Sequence, residues 1–195
     1  MKARAVVILT MVAFLATLCS GFLGMQSEDI RWLVAGVSWA TGYKGIEQLS
    51  AEADLIAVGT VERVIGVTGD VIGEVRWGPI MLYFTDFAFS VERALKGPQD
   101  VGEVLIHQTG AAGKMEVPDD PLLEPGDKYV VFLHEYETGK YLILGGPQGR
   151  FQIIENEVFS MNNILPGIGS PVPGLDVKGV EKASFVESVI ASMGQ

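Results

Sequence analysis

The 195-residue chain predicts a mainly β protein: a small antiparallel barrel behind an apolar N-terminal helix, with one more helix at the C-terminus. Three observations point there. Twenty-four Gly and nine Pro fall between short apolar runs, the pattern of short strands joined by turns. Leu55-Ile56-Ala57-Val58-Gly59-Thr60-Val61 and Tyr129-Val130-Val131-Phe132-Leu133 are continuous apolar runs, as expected of central strands. Lys2 and Arg4 precede a stretch, residues 5–25, that carries no charge, and the next charge is Glu28.

That opening segment is about the length of a membrane span and longer than the usual cleaved leader core. Cys19-Ser20-Gly21 is a passable cleavage site. Residues 1–25 therefore read as a signal peptide or an N-terminal membrane anchor, with Lys2 and Arg4 on the cytoplasmic side and the remainder outside. Cys19 is the sole cysteine. Leu18 before it departs from the small residue that a lipidation motif wants, so it reads as a small apolar residue. The exported part has no disulfide and must be stable through core burial.

Residues 26–50 read as a helical connector. Ser27 can cap a short helix with Ile30, Leu33, Val34 and Val37 on one face, and Trp32 and Trp39 lie near the leader, at interface depth or against the domain. Gly42-Tyr43-Lys44-Gly45 interrupts it, and Ile46, Leu49 and Ala53 give further turns ending at Asp54. The β domain spans residues 51–165. Its first strand runs from Leu55 to Ile65. Gly66 to Pro79 reads as a glycine-rich loop turning at Gly69-Asp70. Met81, Tyr83, Phe87, Phe89 and Val91 then alternate with polar residues in a long second strand. Val101 to Thr109 is a third strand, followed by a long loop from Gly110 to Pro125, where Pro125-Gly126 fits the centre of a type II turn. Thr138-Gly139 links the Tyr129 strand to Tyr141–Leu144, and Glu155-Asn156-Glu157 links Phe151–Ile154 to Val158–Met161. Residues 166–195 form a Gly/Pro connector and a C-terminal helix with Val180, Phe185, Val189 and Ile190 as its apolar stripe.

Three segments together carry a family resemblance: Ala53-Asp54-Leu55-Ile56-Ala57-Val58-Gly59-Thr60-Val61, Phe89-Ser90-Val91-Glu92-Arg93-Ala94-Leu95-Lys96-Gly97, and Leu123-Glu124-Pro125-Gly126-Asp127-Lys128-Tyr129-Val130-Val131-Phe132-Leu133. The series resembles uncharacterised prokaryotic secreted or membrane-anchored domains and, more distantly, the netrin-like domain of tissue inhibitors of metalloproteinases. The resemblance spans about residues 50–161. It implies an OB-type barrel with packed helices, so the expected fold class is mainly β: a small antiparallel OB-like barrel with an N-terminal transmembrane or signal helix and a C-terminal helix. In those inhibitors an N-terminal cysteine and its disulfides build the inhibitory ridge. This chain has no cysteine after Cys19, and no functional residue carries over.

Net charge is −10, which disfavours binding to phosphate backbones. His107 and His134, with Asp119 and Asp120, are the residues that a metal site would draw on. Isolated strand-end histidines are the plainer reading. Glu116, Asp119, Asp120 and Glu124 offer oxygens for Ca²⁺ or simply a solvated loop. Asp54 is a possible catalytic carboxylate with Glu92 or Asp127, against a turn residue. No Gly-x-Ser-x-Gly elbow and no phosphate loop are present, so no catalytic residue and no cofactor is assigned. Trp77, Tyr83 and Phe84 are candidates for an aromatic binding patch. The expected function is an extracytoplasmic binding or interaction module. Its partners would be the membrane, through residues 5–25, and an envelope protein, peptide or glycan. The alternatives are a cell-envelope hydrolase or metal-dependent enzyme and, by fold analogy, a protease inhibitor. A reporter enzyme that works only after translocation, fused behind Gln195, is expected to be active, and a cytosol-dependent reporter silent; the reverse pattern overturns export.

Overall fold

The fold is built on two apolar runs that hydrogen-bond to each other. The computed structural model describes residues 42–76, 78–164 and 174–194, within the unit Ser38–Gln195. The apolar segment 5–25, the Ser27 helix, Trp32, Trp39 and the Gly/Pro connector 166–173 lie outside the described residues. In chain order the elements are helix α1 (Ile46–Glu52), strands β1 (Leu55–Val75), β2 (Gly78–Lys96), β3 (Glu103–Thr109), β4 (Lys128–Glu137) and β5 (Lys140–Ile143), a 3₁₀ turn (Gly146–Gly149), β6 (Arg150–Ile154), β7 (Glu157–Ser160), a single turn α2 (Met161–Ile164), β8 (Lys178–Glu181) and α3 (Lys182–Ser192). No helix among the described residues is long and apolar enough to cross a membrane.

The eight strands form one sheet in the order β1-β2-β3-β5-β4-β6-β7-β8, and β4 also pairs with β1. Part of the sheet is therefore ring-like: β1, β2, β3, β5 and β4 return to β1. The pairs are antiparallel except β3 with β5, where Leu105 faces Lys140 and Ile106 faces Tyr141 in parallel. The parallel pair arises because the tight β4–β5 hairpin, reversing at Thr138-Gly139, inserts its second strand between β4 and β3. Gly139 takes φ 75, and Glu155 and Asn156 take φ 50 and 75 in the β6–β7 turn. Such left-handed positions are what two-residue hairpins require.

Leu55–Thr60 pairs with Lys128–Leu133 along one ladder. Alternate residues of both strands face opposite sides. Leu55, Ala57, Val61, Tyr129, Val131 and Leu133 meet Phe87, Phe89, Val104 and Ile106 in one core. Ile56, Val58, Val130 and Phe132 face the other way, onto Leu49 of α1, Phe151, Val158, and Phe185 and Val189 of α3. Burial on both faces explains why these runs are apolar without alternation. Gly59 is required within β1, since a side chain there would bring Cβ to 2.1 Å from the Ser90 carbonyl oxygen. Lys96 Nζ donates to the carbonyls of Ser50 and Ala51 at 2.7 and 3.0 Å, satisfying free acceptors at the C-terminal end of α1.

The Gly66–Pro79 loop and the Gly69-Asp70 turn are corrected. β1 continues through them to Val75, paired with β2 as far as Val75 opposite Gly78. Gly69 sits opposite Tyr83, and a Cβ there would come within 2.9 Å of the tyrosine ring. Glycine thus serves as a bed for an aromatic side chain and not as a turn residue. β2 leaves β3 at Phe84, opposite Thr109, and the β1–β4 ladder ends at Thr60. From Val61 onward β1 has, among the described residues, β2 alone beside it as a strand, and from Gly69 to Val75 the β1–β2 pair runs past the end of β3 as a two-stranded arm. Val180 is also corrected: it lies in β8, opposite Val158, and α3 begins at Lys182.

Phe132→Ala is expected to lower unfolding stability by about 3–5 kcal/mol, because Phe132 is fully buried edge-on to Phe151. Val71→Ala, on the exposed arm, is expected to change it by less than about 0.5 kcal/mol. Urea unfolding of both variants measures the contrast.

Candidate functional site

Strand register, not sequence proximity, assembles the most elaborate side-chain cluster. Asp86 of β2 stands opposite His107 of β3, so both point to one face. His107 Nδ1 lies 2.5 Å from Asp86 Oδ1. Phe84, two residues earlier on the same face, stacks on the imidazole at 4.5 Å and 20°. Tyr136 of β4 adds a tilted ring 5.4 Å from His107. The two members of the pair are only 17% and 19% exposed, while Tyr136 is 41% exposed. Burial pushes the Tyr136 phenol up, against the opposing pull of the Lys140 ammonium, so it is a neutral donor near pH 7. The carboxylate orients the imidazole, the Phe84 and Tyr136 rings pack against it, and the exposed Tyr136 offers a stacking surface.

His134 is placed apart from this cluster. Its Nδ1 lies 2.7 Å from Asp54 Oδ2, and both side chains are about half exposed. Asp54 also accepts the Glu135 backbone N–H at 3.0 Å. That amide first, and then the His134 hydrogen bond, hold the Asp54 carboxyl below its usual range. Asp54 is thus partnered by His134 rather than by Glu92 or Asp127. Glu92 accepts from Lys128 Nζ at 2.9 Å and Thr60 Oγ1 at 3.2 Å, and Asp127 accepts the Tyr129 hydroxyl at 3.0 Å.

Of the loop carboxylates, Glu116, Asp119 and Glu124 are exposed, whereas Asp120 turns inward and is buried. Asp120 Oδ1 lies 3.1 Å from Arg150 Nη2 and 3.2 Å from Gln108 Nε2. Arg150 is fully buried; its Nη2 also donates to the Pro121 carbonyl at 2.6 Å. Gln108 donates to the Pro121 carbonyl at 2.9 Å and accepts the Leu123 N–H at 3.0 Å. This polar knot fastens the long loop to the ends of β3 and β6. His107, His134 and Asp120 therefore each belong to a different local arrangement. Among the described residues no group of three or more His, Cys, Asp and Glu side chains gathers as metal ligands would.

Trp77 lies outside the described residues. Tyr83 and Phe84 are neighbours on β2 and so face opposite sides. Tyr83 packs over Gly69 with Lys114 Nζ 5.2 Å from its ring, while Phe84 belongs to the His107 cluster. Sequence reasoning did not pick out Asp86, Tyr136, Gln108 or Arg150. Only the β2–β3 register could have paired Asp86 with His107, and an arginine before an apolar strand gives no sign of being buried.

The arm is the second candidate surface. Val64, Ile65, Val67, Val71, Ile72 and Val75 are six of the eleven large hydrophobic residues exposed among the described residues, so uncovered apolar surface is concentrated on the arm and the stretch of β1 that leads into it. No protein-family model matches the chain, and no curated protein is significantly similar to it.

Asp120→Ala is expected to cost about 3–5 kcal/mol, because it leaves the Arg150 charge buried without its counter-ion. The double variant Asp120→Leu/Arg150→Met is expected to lose markedly less than the two single losses summed. Equilibrium unfolding of the four proteins measures the coupling.

Proposed function

We propose that the chain is an extracytoplasmic binding module, held at the membrane by residues 5–25, whose OB-type barrel presents the β1–β2 arm and the outer face of β2 and β3 to a partner. The cyclic order β1-β2-β3-β5-β4-β1 supports the OB-type assignment. In barrels of that type the first hairpin and the β2–β3 face are the usual ligand surface. Here those two places hold the exposed aliphatic row and the Phe84–His107–Tyr136 cluster. The observation that carries the reading is the row of exposed aliphatic side chains along β1 from Val64 to Val75, of which Val71, Ile72 and Val75 lie where the β1–β2 ribbon reaches beyond β3.

Asp86–His107 is what favours the alternative of a cell-envelope hydrolase or metal-dependent enzyme, because an oriented imidazole is half of a general-base arrangement. Hydrolysis of envelope substrates that His107→Ala abolishes, or metal retained by the purified chain, moves the assignment there.

Replacing Gly69–Tyr83 by Asn-Gly shortens the arm while keeping Thr68 opposite Phe84. The full-length chain is expected to retain a binding partner through purification from its native envelope, and the shortened chain, folded to the same urea midpoint, to lose it. Equal retention by both chains overturns the assignment of binding to the arm.

A further inference from the structure

We infer that the outer edge of β1 in the arm pairs with the same edge of a second copy of this chain, antiparallel and centred on Gly69. The inference rests on the arm being the binding surface and names its occupant. One edge of β1 is taken by β2 throughout. The other is taken by β4 only from Leu55 to Thr60, with Val61 closing the ladder against Gly126 and Asp127. From Glu62 to Val75 this second edge has no strand partner among the described residues, so its N–H and C=O groups form a template for another strand.

Three irregularities, where β1 carries an extra residue relative to β2, lie between Val61 and Arg63, Val64 and Gly66, and Val71 and Gly73. They twist the ribbon at both ends and leave Gly66–Val71 in one-to-one register. This regular stretch is where a further strand can add. The bulges that flank it oppose open-ended growth and favour a closed two-fold pair.

The sequence across that stretch complements itself. A two-fold axis perpendicular to the sheet at Gly69 brings Val67 opposite Val71 and Thr68 opposite Asp70, each twice. Within this regular stretch each Val67 meets a Val71 of matched size, and each Asp70 carboxylate meets a threonine hydroxyl that can donate to it; beyond it the same register would set Val64 opposite Glu74 and Arg63 opposite Val75, so the complementary segment is Val67–Val71. Gly69, on the axis, has no side chain to collide with its own copy. A lipid surface fits the same arm poorly: Asp70 and Glu74 lie among the aliphatic residues, and both would have to be neutralised in hydrocarbon.

The test uses the full-length chain in detergent with Cys19→Ala as background. Its mass by native mass spectrometry is expected to be that of a dimer, and Val67→Lys/Val71→Lys is expected to convert it to monomer. These side chains are 44% and 59% exposed in the single chain, so the lysine variant is expected to keep its circular-dichroism spectrum and a cooperative urea transition, with the midpoint lowered only by the loss of association. Thr68→Cys with Asp70→Cys in one chain is expected to give a disulfide-linked dimer on oxidation, and Thr68→Cys alone none. A monomeric chain, a dimer indifferent to the two lysines, or equal crosslinking of the single and double cysteine variants overturns the inference. If the chain is monomeric yet arm-dependent retention of another protein persists, or the arm binds phospholipid vesicles, self-pairing falls while the arm remains the binding surface. If the shortened arm also changes nothing, both readings fall.

Discussion

Both cores depend on the ladder between the first third of β1 and the first half of β4. A strand pair buried on one face alternates; this pair does not, because it serves the ring on one side and α1, α3, β6 and β7 on the other. The consequence is mechanical. A change at Phe132 or Val58 acts on the helical side, and one at Val131 or Ala57 acts on the ring, yet both act through the same backbone hydrogen bonds. The ladder is locked at its end where the Asp54 N–H donates to the Leu133 carbonyl at 2.9 Å while the Asp54 carboxylate takes the Glu135 N–H. An acidic residue at that corner is thus explained by backbone satisfaction, and its lowered pKa follows from the same amide.

The buried Arg150 is the costliest feature inside this frame. Desolvating a guanidinium opposes folding, and the Asp120 carboxylate offsets that only because the geometry is fixed by Gln108 and Pro121. The knot ties the Gly110–Pro125 loop to Gln108 of β3 and Arg150 of β6. Thr85, whose hydroxyl donates to the Gly110 carbonyl at 2.7 Å, ties the start of that loop to β2 beside Phe84 and Asp86. Thr85 and Gln108 alternate with Asp86 and His107, so the buried polar groups lie on the opposite face of β2 and β3 from the His107 cluster.

Much of the β architecture was legible because turns and apolar runs are local signals. Gly126 takes φ 95 after Pro125, and the Glu155-Asn156 reversal falls where two apolar segments leave only a short polar break. The arm was not legible. Gly66, Gly69 and Gly73 are turn-like in composition, but their backbones are extended and the glycines serve aromatic packing and strand irregularity instead. Val180 matched the helical spacing and was claimed by β8 through its pairing with Val158. The candidate site failed for a different reason. Asp86 and His107 are 21 positions apart, and nothing short of the β2–β3 register sets them face to face. Tyr83 and Phe84, adjacent in sequence, are separated by the sheet itself.

The arm's own energetics argue for an occupant. A two-stranded ribbon is marginal in water, and here the pairing with β3 ends at Phe84. Past that residue the ribbon is held by cross-strand contacts, such as Tyr83 over Gly69, and by its connection to the rigid base, where Arg63 pairs with Glu103 at 3.2 Å. A chain selected only for a stable sheet gains nothing from such a ribbon and bears its exposed valines and isoleucines as an aggregation hazard. Covering the ribbon resolves both difficulties at once: it removes the aliphatic surface from water and completes the open hydrogen-bonding edge. The bulges then acquire a reason as well, since they confine the covering strand to a short register and keep a sticky edge from recruiting strands without limit.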